Sequence, residues 1–220
     1  MELTTNQIQE IENYIKVNNV DYIDLKIELL DHLILDIEHL INKGFSFENS
    51  FELTKQKWNK HFRSSSSIYL GLQYSASKIV VQKAIKEFRP FYILYLASYF
   101  VPFIIFKNVS TDFNESTMLL VNSFFKTITL LALVYLLFII YKMTFSKEKT
   151  TYRFILKTQS LGISLLIISL IVSNYFDTSG QINGVLVGFA CAGLATTYSC
   201  HHFYKKHLKE LNKNSKSMVL

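Results

Sequence analysis

Four apolar runs follow one another after the first ninety residues of this chain, and they limit what it can fold into more than any other feature. They are "FYILYLASYFVPFIIF" (91–106), "MLLVNSFFKTITLLALVYLLFIIY" (118–141), "FILKTQSLGISLLIISLIVSNYF" (154–176) and "INGVLVGFACAGLATTYSCHHFY" (182–204). Each is close to the roughly 20 residues with which a helix crosses a hydrocarbon core of about 30 Å. One such run fits the buried helix of a soluble protein. Four in 220 residues, half of them hydrophobic, call for a bilayer. Inside lipid every backbone group must be satisfied within its own segment, so the runs are expected to be helices, at about 90–106, 118–141, 154–176 and 182–204.

Charge between the runs sets their orientation. The connection "KNVSTDFNEST" carries one base and two acids, and "DTSGQ" one acid and no base. By contrast "KMTFSKEKTTYR" holds Lys142, Lys147, Lys149 and Arg153 against Glu148, and the tail "KKHLKELNKNSK" holds five lysines against Glu210. Lys78, Lys83, Lys86 and Arg89 precede the first run. The positive-inside rule then places both termini in the cytosol. The polar, acidic start "MELTTNQIQEIENYIK" has neither the basic nor the apolar region of a cleavable signal peptide.

Several chemistries find no support in the residues. The pI is near 9.1, yet the bases sit between apolar runs and not on one soluble face, so direct nucleic-acid binding is not expected. Cys191 and Cys200 lie nine residues apart on one predicted helix and project to opposite sides, which excludes a bridge between them. Lys126 and Lys157 fall inside apolar runs, where a charge flags a functional site by default. No acid lies in any run to pair with them, and their long stems reach an interface by snorkelling. That weighs against an ion-coupled transporter. No Ser/His/Asp, metal or phosphate-loop pattern marks an enzyme, so neither catalytic residues nor a cofactor is expected.

In the fourth run, Gly184, Gly188 and Ala192 recur at four-residue spacing, with Thr196 extending the row and Gly193 and Ala195 beside it. Small residues let a second backbone approach, which makes this a helix-packing face. It serves equally a homodimer or packing against the chain's own third run.

The first 63 residues differ in kind. They hold 11 Asp/Glu against 7 Lys/Arg, whereas the remainder holds 6 against 16. Residues 5–17 and 22–42 have helical periodicity, and "FENSFELTKQKWNKHF" predicts a third short helix, giving a three-helix cytosolic head. On the second helix Ile27, Leu29, Leu30, Leu33, Ile34, Ile37, Leu40 and Ile41 share one broad face that is expected to be buried. Glu28, His32, Asp36 and His39 share an opposite arc of about 80°, flanked by Asp31 and Glu38. That row is a weak metal candidate, because one helix offers only neighbouring pairs to an ion; a solvated acidic face fits it better. Cys200, His201, His202 and His207 are weaker still, since adjacent histidines diverge by about 100°. Gly44 is placed to end the second helix, and Ser46 to cap the third with Glu48 in its first turn.

The segment "ELLDHLILDIEHLINKGFSFENSF", with Asp36-Ile37-Glu38-His39 followed by Gly44-Phe45-Ser46-Phe47-Glu48, resembles the HAAS domain, a helix-turn-helix-associated alpha-helical signalling unit. The resemblance covers roughly the first 60 residues and ends at "KQKWNKHF", where Trp58 stands in place of the Leu-Gly-x-Pro-like finish of such domains. It implies a bacterial multi-pass protein of the inner membrane whose cytosolic head takes part in signalling, often beside a PadR-like regulator.

The whole reads as all-α: a head at 1–63, a serine-rich flexible hinge and basic juxtamembrane segment at 64–89, four transmembrane helices within 90–204 and a basic cytosolic tail at 205–220. The expected role is non-enzymatic signalling or regulation, with the lipid bilayer as one partner and a PadR-like regulator or second copy docking at Asp31, Asp36, Glu38 and His39. A small transporter or permease subunit is the alternative.

Overall fold

The structure is a computed structural model and describes residues 3–18, 20–109, 113–172 and 174–217. In chain order the elements are α1 (Thr5–Val17), α2 (Ile23–Ile41), α3 (Phe47–Phe62), β1 (Ser64–Ser67), β2 (Gly71–Ser77), α4 (Lys78–Asn108), α5 (Glu115–Thr144), α6 (Thr151–Lys157), α7 (Ser160–Ile171) and α8 (Gly184–Ser217). The chain is therefore mostly helical, and the hairpin β1–β2 is a departure from an all-α fold. Two compact units emerge. One gathers described residues from 1–87, 147–154 and 207–220; the other gathers those from 88–146 and 155–206. These units do not coincide with a linear division at 63 and 89, because the α5–α6 connection and the end of α8 belong to the first.

In the first unit, α1 opens with a capping box. The Gln7 backbone N–H donates to the Thr4 hydroxyl, and the Thr4 N–H donates to Gln7 Oε1 at 2.8 Å. α1 buries Ile11 and Ile15, and α2 buries Leu25, Leu29, Leu33 and Ile37. These four stand at successive i, i+4 steps and form a narrow stripe. The broad buried face expected of α2 is not realised: Ile27 is 54% exposed, and Leu30, Ile34, Leu40 and Ile41 are only half-buried. Two short helices shield one stripe of a third, which leaves its flanks uncovered. Gly44 turns the chain after α2 with φ 94°, a conformation that favours glycine, and the Ser46 hydroxyl accepts the Asn49 N–H at 3.3 Å to start α3.

The serine run is a strand, not a flexible hinge. Ser64 pairs with Ser77, Ser65 with Ala76 and Ser67 with Gly71 in antiparallel register. The run carries no side chain that competes for burial, so its backbone is free to complete a ladder with the "LQYSAS" segment. α4 then starts at Lys78, whose N–H donates to the Arg63 carbonyl at 2.9 Å. It buries Val80, Val81 and Ala84, so the expected interfacial segment is the regular beginning of a 31-residue helix.

The second unit is built from the remaining helices. Ala132, Leu136, Ile139 and Met143 of α5 pack with Leu166 of α7 and Cys200 of α8, while Tyr175, Phe176, Val187 and Ala190 form a further cluster. The third apolar run is not one continuous helix. The Thr158 hydroxyl and Gln159 Nε2 both donate to the Ile155 carbonyl, at 2.7 and 3.1 Å, and so compete with the helical ladder at that point. α6 and α7 meet there at a bend of 40°. α8 in turn carries the fourth run onward to Ser217, so the predicted tail is helical through 217.

Among the described residues, α4 and α5 are long and apolar enough to cross a membrane by themselves, and α6 with α7 qualifies only as a bent pair. α8 is not in that set. Its glycine, alanine, serine, threonine and histidine content dilutes the apolar run that length alone picks out. Ser110, Thr111 and Asp112 of the α4–α5 loop lie outside the described residues.

Candidate functional site

The acidic arc of α2 is drawn into its own unit. Asp36 accepts from Lys57 Nζ at 2.8 and 2.7 Å and from the Trp58 indole Nε1–H at 2.8 Å, both from α3. Burial alone would raise the Asp36 carboxyl, but those two hydrogen bonds and the Lys57 charge outweigh it and hold the group below the usual aspartate range. His32 stacks over the Trp58 ring, with centroids 6.4 Å apart and planes 24° from parallel. Glu28 turns toward Lys83 of α4, with Nζ 3.5 Å from Oε2. His39 and Asp31 are exposed, and Glu38 is half-buried. The row is thus divided among three neighbours. Among the described residues no group of three or more His, Cys, Asp or Glu is arranged to hold a metal ion. His201 instead hydrogen-bonds to the Tyr135 hydroxyl, and His202 lies 4.8 Å ring to ring from Phe91.

A second polar cluster, one turn nearer the start of α2, ties together four segments distant in sequence. The Ile23 N–H donates to the Lys149 carbonyl at 3.0 Å, and Lys149 Nζ lies 3.3 Å from Asp21. Asp24 is at the centre. Its side chain is 2% exposed, and its Oδ1 accepts the Thr151 backbone N–H at 2.8 Å, satisfying one of the free donors at the start of α6. Lys83 Nζ donates to the Asp24 carbonyl at 2.8 Å and stands 3.3 Å from Oδ2. The distance makes an ion pair, but the angle leaves Oδ2 without a hydrogen bond. Nearby, the Thr150 hydroxyl meets Nδ1 of the buried His207 at 2.8 Å. Burial, then the Arg153 charge, lower the His207 imidazole to about 4, with Asp24 opposing them.

A cavity of about 370 Å³ opens beside this cluster. Its acids are Asp24, Glu28 and Asp31 of α2 with Glu210 of α8, and its bases are Lys83 and Lys213. Ile23, Ile27 and the Tyr152 ring supply apolar wall. Sequence reading did not anticipate this convergence. Asp24 does sit one turn before Glu28, the only local sign, but its partners Lys83 and Thr151, and Glu210 on the cavity wall, come from other elements.

In the second unit the small residues of α8 meet two helices. A Cβ on Gly188 would lie 2.7 Å from the Tyr99 carbonyl oxygen, and one on Gly184 3.1 Å from Pro102 O and Phe103 Cα, all on α4. Gly193 abuts Leu166 of α7, and Thr196 abuts Gly162 of the same helix. Ala192 is fully buried. Backbone thus comes close to backbone on the α4 side as well as on the third-run side.

Comparison with known proteins returns no match to this chain among family models, curated proteins or solved structures.

Proposed function

We propose that this chain is an integral membrane protein in which a cytosolic helical unit serves as a docking or sensing module, with a non-enzymatic signalling or regulatory role. The observation that carries the membrane half of this reading is the outer surface of α4 and α5. None of the residues in the most apolar 18-residue window of α4 is buried, and 22% of those in α5 are. Ile93, Phe100, Val101 and Ile104 on α4, and Leu119, Leu120, Phe124 and Leu131 on α5, stand about half to two-thirds exposed. Apolar surface costs roughly 25 cal/mol per Å² in water, so a face this continuous needs lipid around it. The lengths of the third and fourth runs and the basic 142–153 and 205–216 segments support four spans with both ends on the cytosolic side.

Support for docking comes from the α2 flanks. Ile27 and Leu35 remain 54% and 62% exposed beside the exposed Asp31 and His39, an apolar and acidic surface that α1 and α3 do not cover. A cytosolic regulator or a second copy fits it.

Cysteine accessibility tests the reading. In a background with Cys191 and Cys200 replaced by Ala, cysteines at Ser110 or Ser179 should react from outside intact cells, and cysteines at Ser146 or Ser215 only after permeabilisation. Labelling at Ser146 from outside would sink it. A photoreactive residue at His39 should trap a protein partner in cells; Asp36 is unsuitable for this, since its carboxylate holds α3.

A further inference from the structure

The hairpin β1–β2 differs in kind from the rest of the first unit. Its residues, 64–77, include no Asp, Glu, Lys or Arg, whereas residues 1–63 hold 11 acids and 7 bases. We infer that the tip of this hairpin is a membrane-surface anchor, which inserts Ile68, Tyr69 and Leu72 among the headgroups of anionic lipid. The inference rests on the reading of the chain as a membrane protein and adds a lipid contact outside its spans.

The backbone presents an apolar tip. Ile68 is 78% exposed, Leu72 67% and Tyr69 40%, while Leu70 between them is buried and holds the turn against the fold. On β1 only Ser66 separates the paired Ser65 and Ser67, but on β2 residues 72–75 separate Gly71 from Ala76. The extra residues bulge from the ladder and carry Leu72 outward. Three large side chains held together in water are a standing cost that a lipid boundary removes. The same irregularity disfavours a second copy as the occupant. β1 is four residues long and the β2 ladder is interrupted, so neither edge offers a regular template to another strand.

Charge at the base of the hairpin identifies the surface it fits. Lys60 lies in the last turn of α3, Arg63 caps that helix, and the Lys78 N–H at the start of α4 meets the Arg63 carbonyl at 2.9 Å. All three side chains belong to exposed residues and have no ion-pair partner among the described residues. His61 registers their field: burial first, then the charges of Lys60, Lys78 and Lys57, hold its imidazole below the ordinary range. An uncharged apolar tip with unpaired cations at its base matches an anionic bilayer, whose acyl boundary takes the tip and whose phosphates take the bases. Covalent connection completes the argument. β2 ends at Ser77 and α4 starts at the next residue, running unbroken to Asn108. Its apolar run opens at Phe91, about 20 Å from Lys78 along the helix axis, and a strand the length of β2 spans about the same distance. A tip tethered within such reach of lipid needs little affinity of its own, because its attachment is intramolecular.

The test uses the full chain with Cys191→Ala and Cys200→Ala, in nanodiscs that contain phosphatidylglycerol. An environment-sensitive fluorophore is placed on Gln73→Cys, beside the tip, so that Ile68 and Leu72 stay in place. Lipid carrying a nitroxide on its headgroup should cut this emission by about half, as for an interfacial group. The same fluorophore at Gln56→Cys, exposed on α3, should lose much less. Ile68→Ser/Leu72→Ser, altered only at exposed positions, should reduce quenching at residue 73 to the level at 56 with helix content unchanged. Lys60→Gln/Arg63→Gln/Lys78→Gln should weaken it about twofold, as should high salt. Quenching at 73 no stronger than at 56, or indifferent to either set of substitutions, would overturn the inference. So would covalent dimers of the Gln73→Cys protein formed by a short bis-maleimide in place of lipid quenching, which would assign the tip to a second copy. A fluorophore at Leu131→Cys on α5, read against lipid with a nitroxide on its acyl chain, keeps the two readings apart. Quenching there without quenching at 73 leaves the spans standing and removes the anchor; no quenching at either removes the membrane reading itself.

Discussion

Trp58 donates its indole N–H to Oδ2 of Asp36 at 2.8 Å and thereby fastens α3 to α2 across 22 residues of sequence. The same carboxylate receives Lys57, and His32 stacks on the indole, so one aspartate organises a small polar layer at the edge of the first unit. Trp58 is also the only tryptophan in the chain, which makes its fluorescence a direct report on this contact.

Asp36→Ala should lower the stability of the first unit by about 1–2 kcal/mol, the range for a partly exposed hydrogen bond to a charged group, and shift Trp58 emission to the red. Asp36→Asn keeps an acceptor for the indole and should lose less. Because the Asp36 carboxyl sits below the ordinary value of 3.8, its contribution is present above that pH and is lost as pH falls through the lower folded value. Unchanged emission in the alanine variant would contradict the contact.

His207 should make the fold sensitive to mild acid. Its folded value of about 4 lies below the unfolded 6.5, so between those values the unfolded chain takes up a proton that the folded chain refuses. Stability therefore falls as pH drops from about 6.5 to about 4, by at most roughly 3 kcal/mol, and changes no further from this source below that. Chemical denaturation of the full chain in detergent, followed through Trp58 at a series of pH values, should show this slope. His207→Gln should flatten it.

Gly188 should tolerate no side chain. A methyl group there would lie 2.7 Å from the Tyr99 carbonyl oxygen, on backbone that cannot rotate away. Gly188→Ala is expected to cost about 1–3 kcal/mol through overpacking and to lower the melting temperature in detergent. Gly44→Ala makes a useful contrast: it has open space around its Cβ position and is penalised only through its φ of 94°. A Gly188→Ala protein as stable as the parent would place α8 farther from α4.

Local chemistry determined much of this protein from the sequence alone. A capping residue, a periodic apolar stripe and a glycine stop are satisfied within a few residues of one another, so Thr4 and Gln7 at the start of α1, and Gly44 and Ser46 between α2 and α3, are legible without a fold. The apolar runs behind α4 and α5 are equally legible, because hydropathy is additive along a chain. Other features depend on what a segment meets. The serine run became a strand because a partner stood ready at Gly71–Ser77, and the third apolar run broke because Thr158 and Gln159 captured the Ile155 carbonyl in place of its own ladder. How much of α2 is buried was decided by the size of α1 and α3, not by the width of its apolar face. The junction at Asp24 lay furthest from view: its hydrogen bond to Thr151 crosses 127 residues and its bond from Lys83 crosses 59. A lone aspartate in a first helical turn carries no mark of such partners, since burial and pairing are properties of the packed chain and the residue type alone does not encode them.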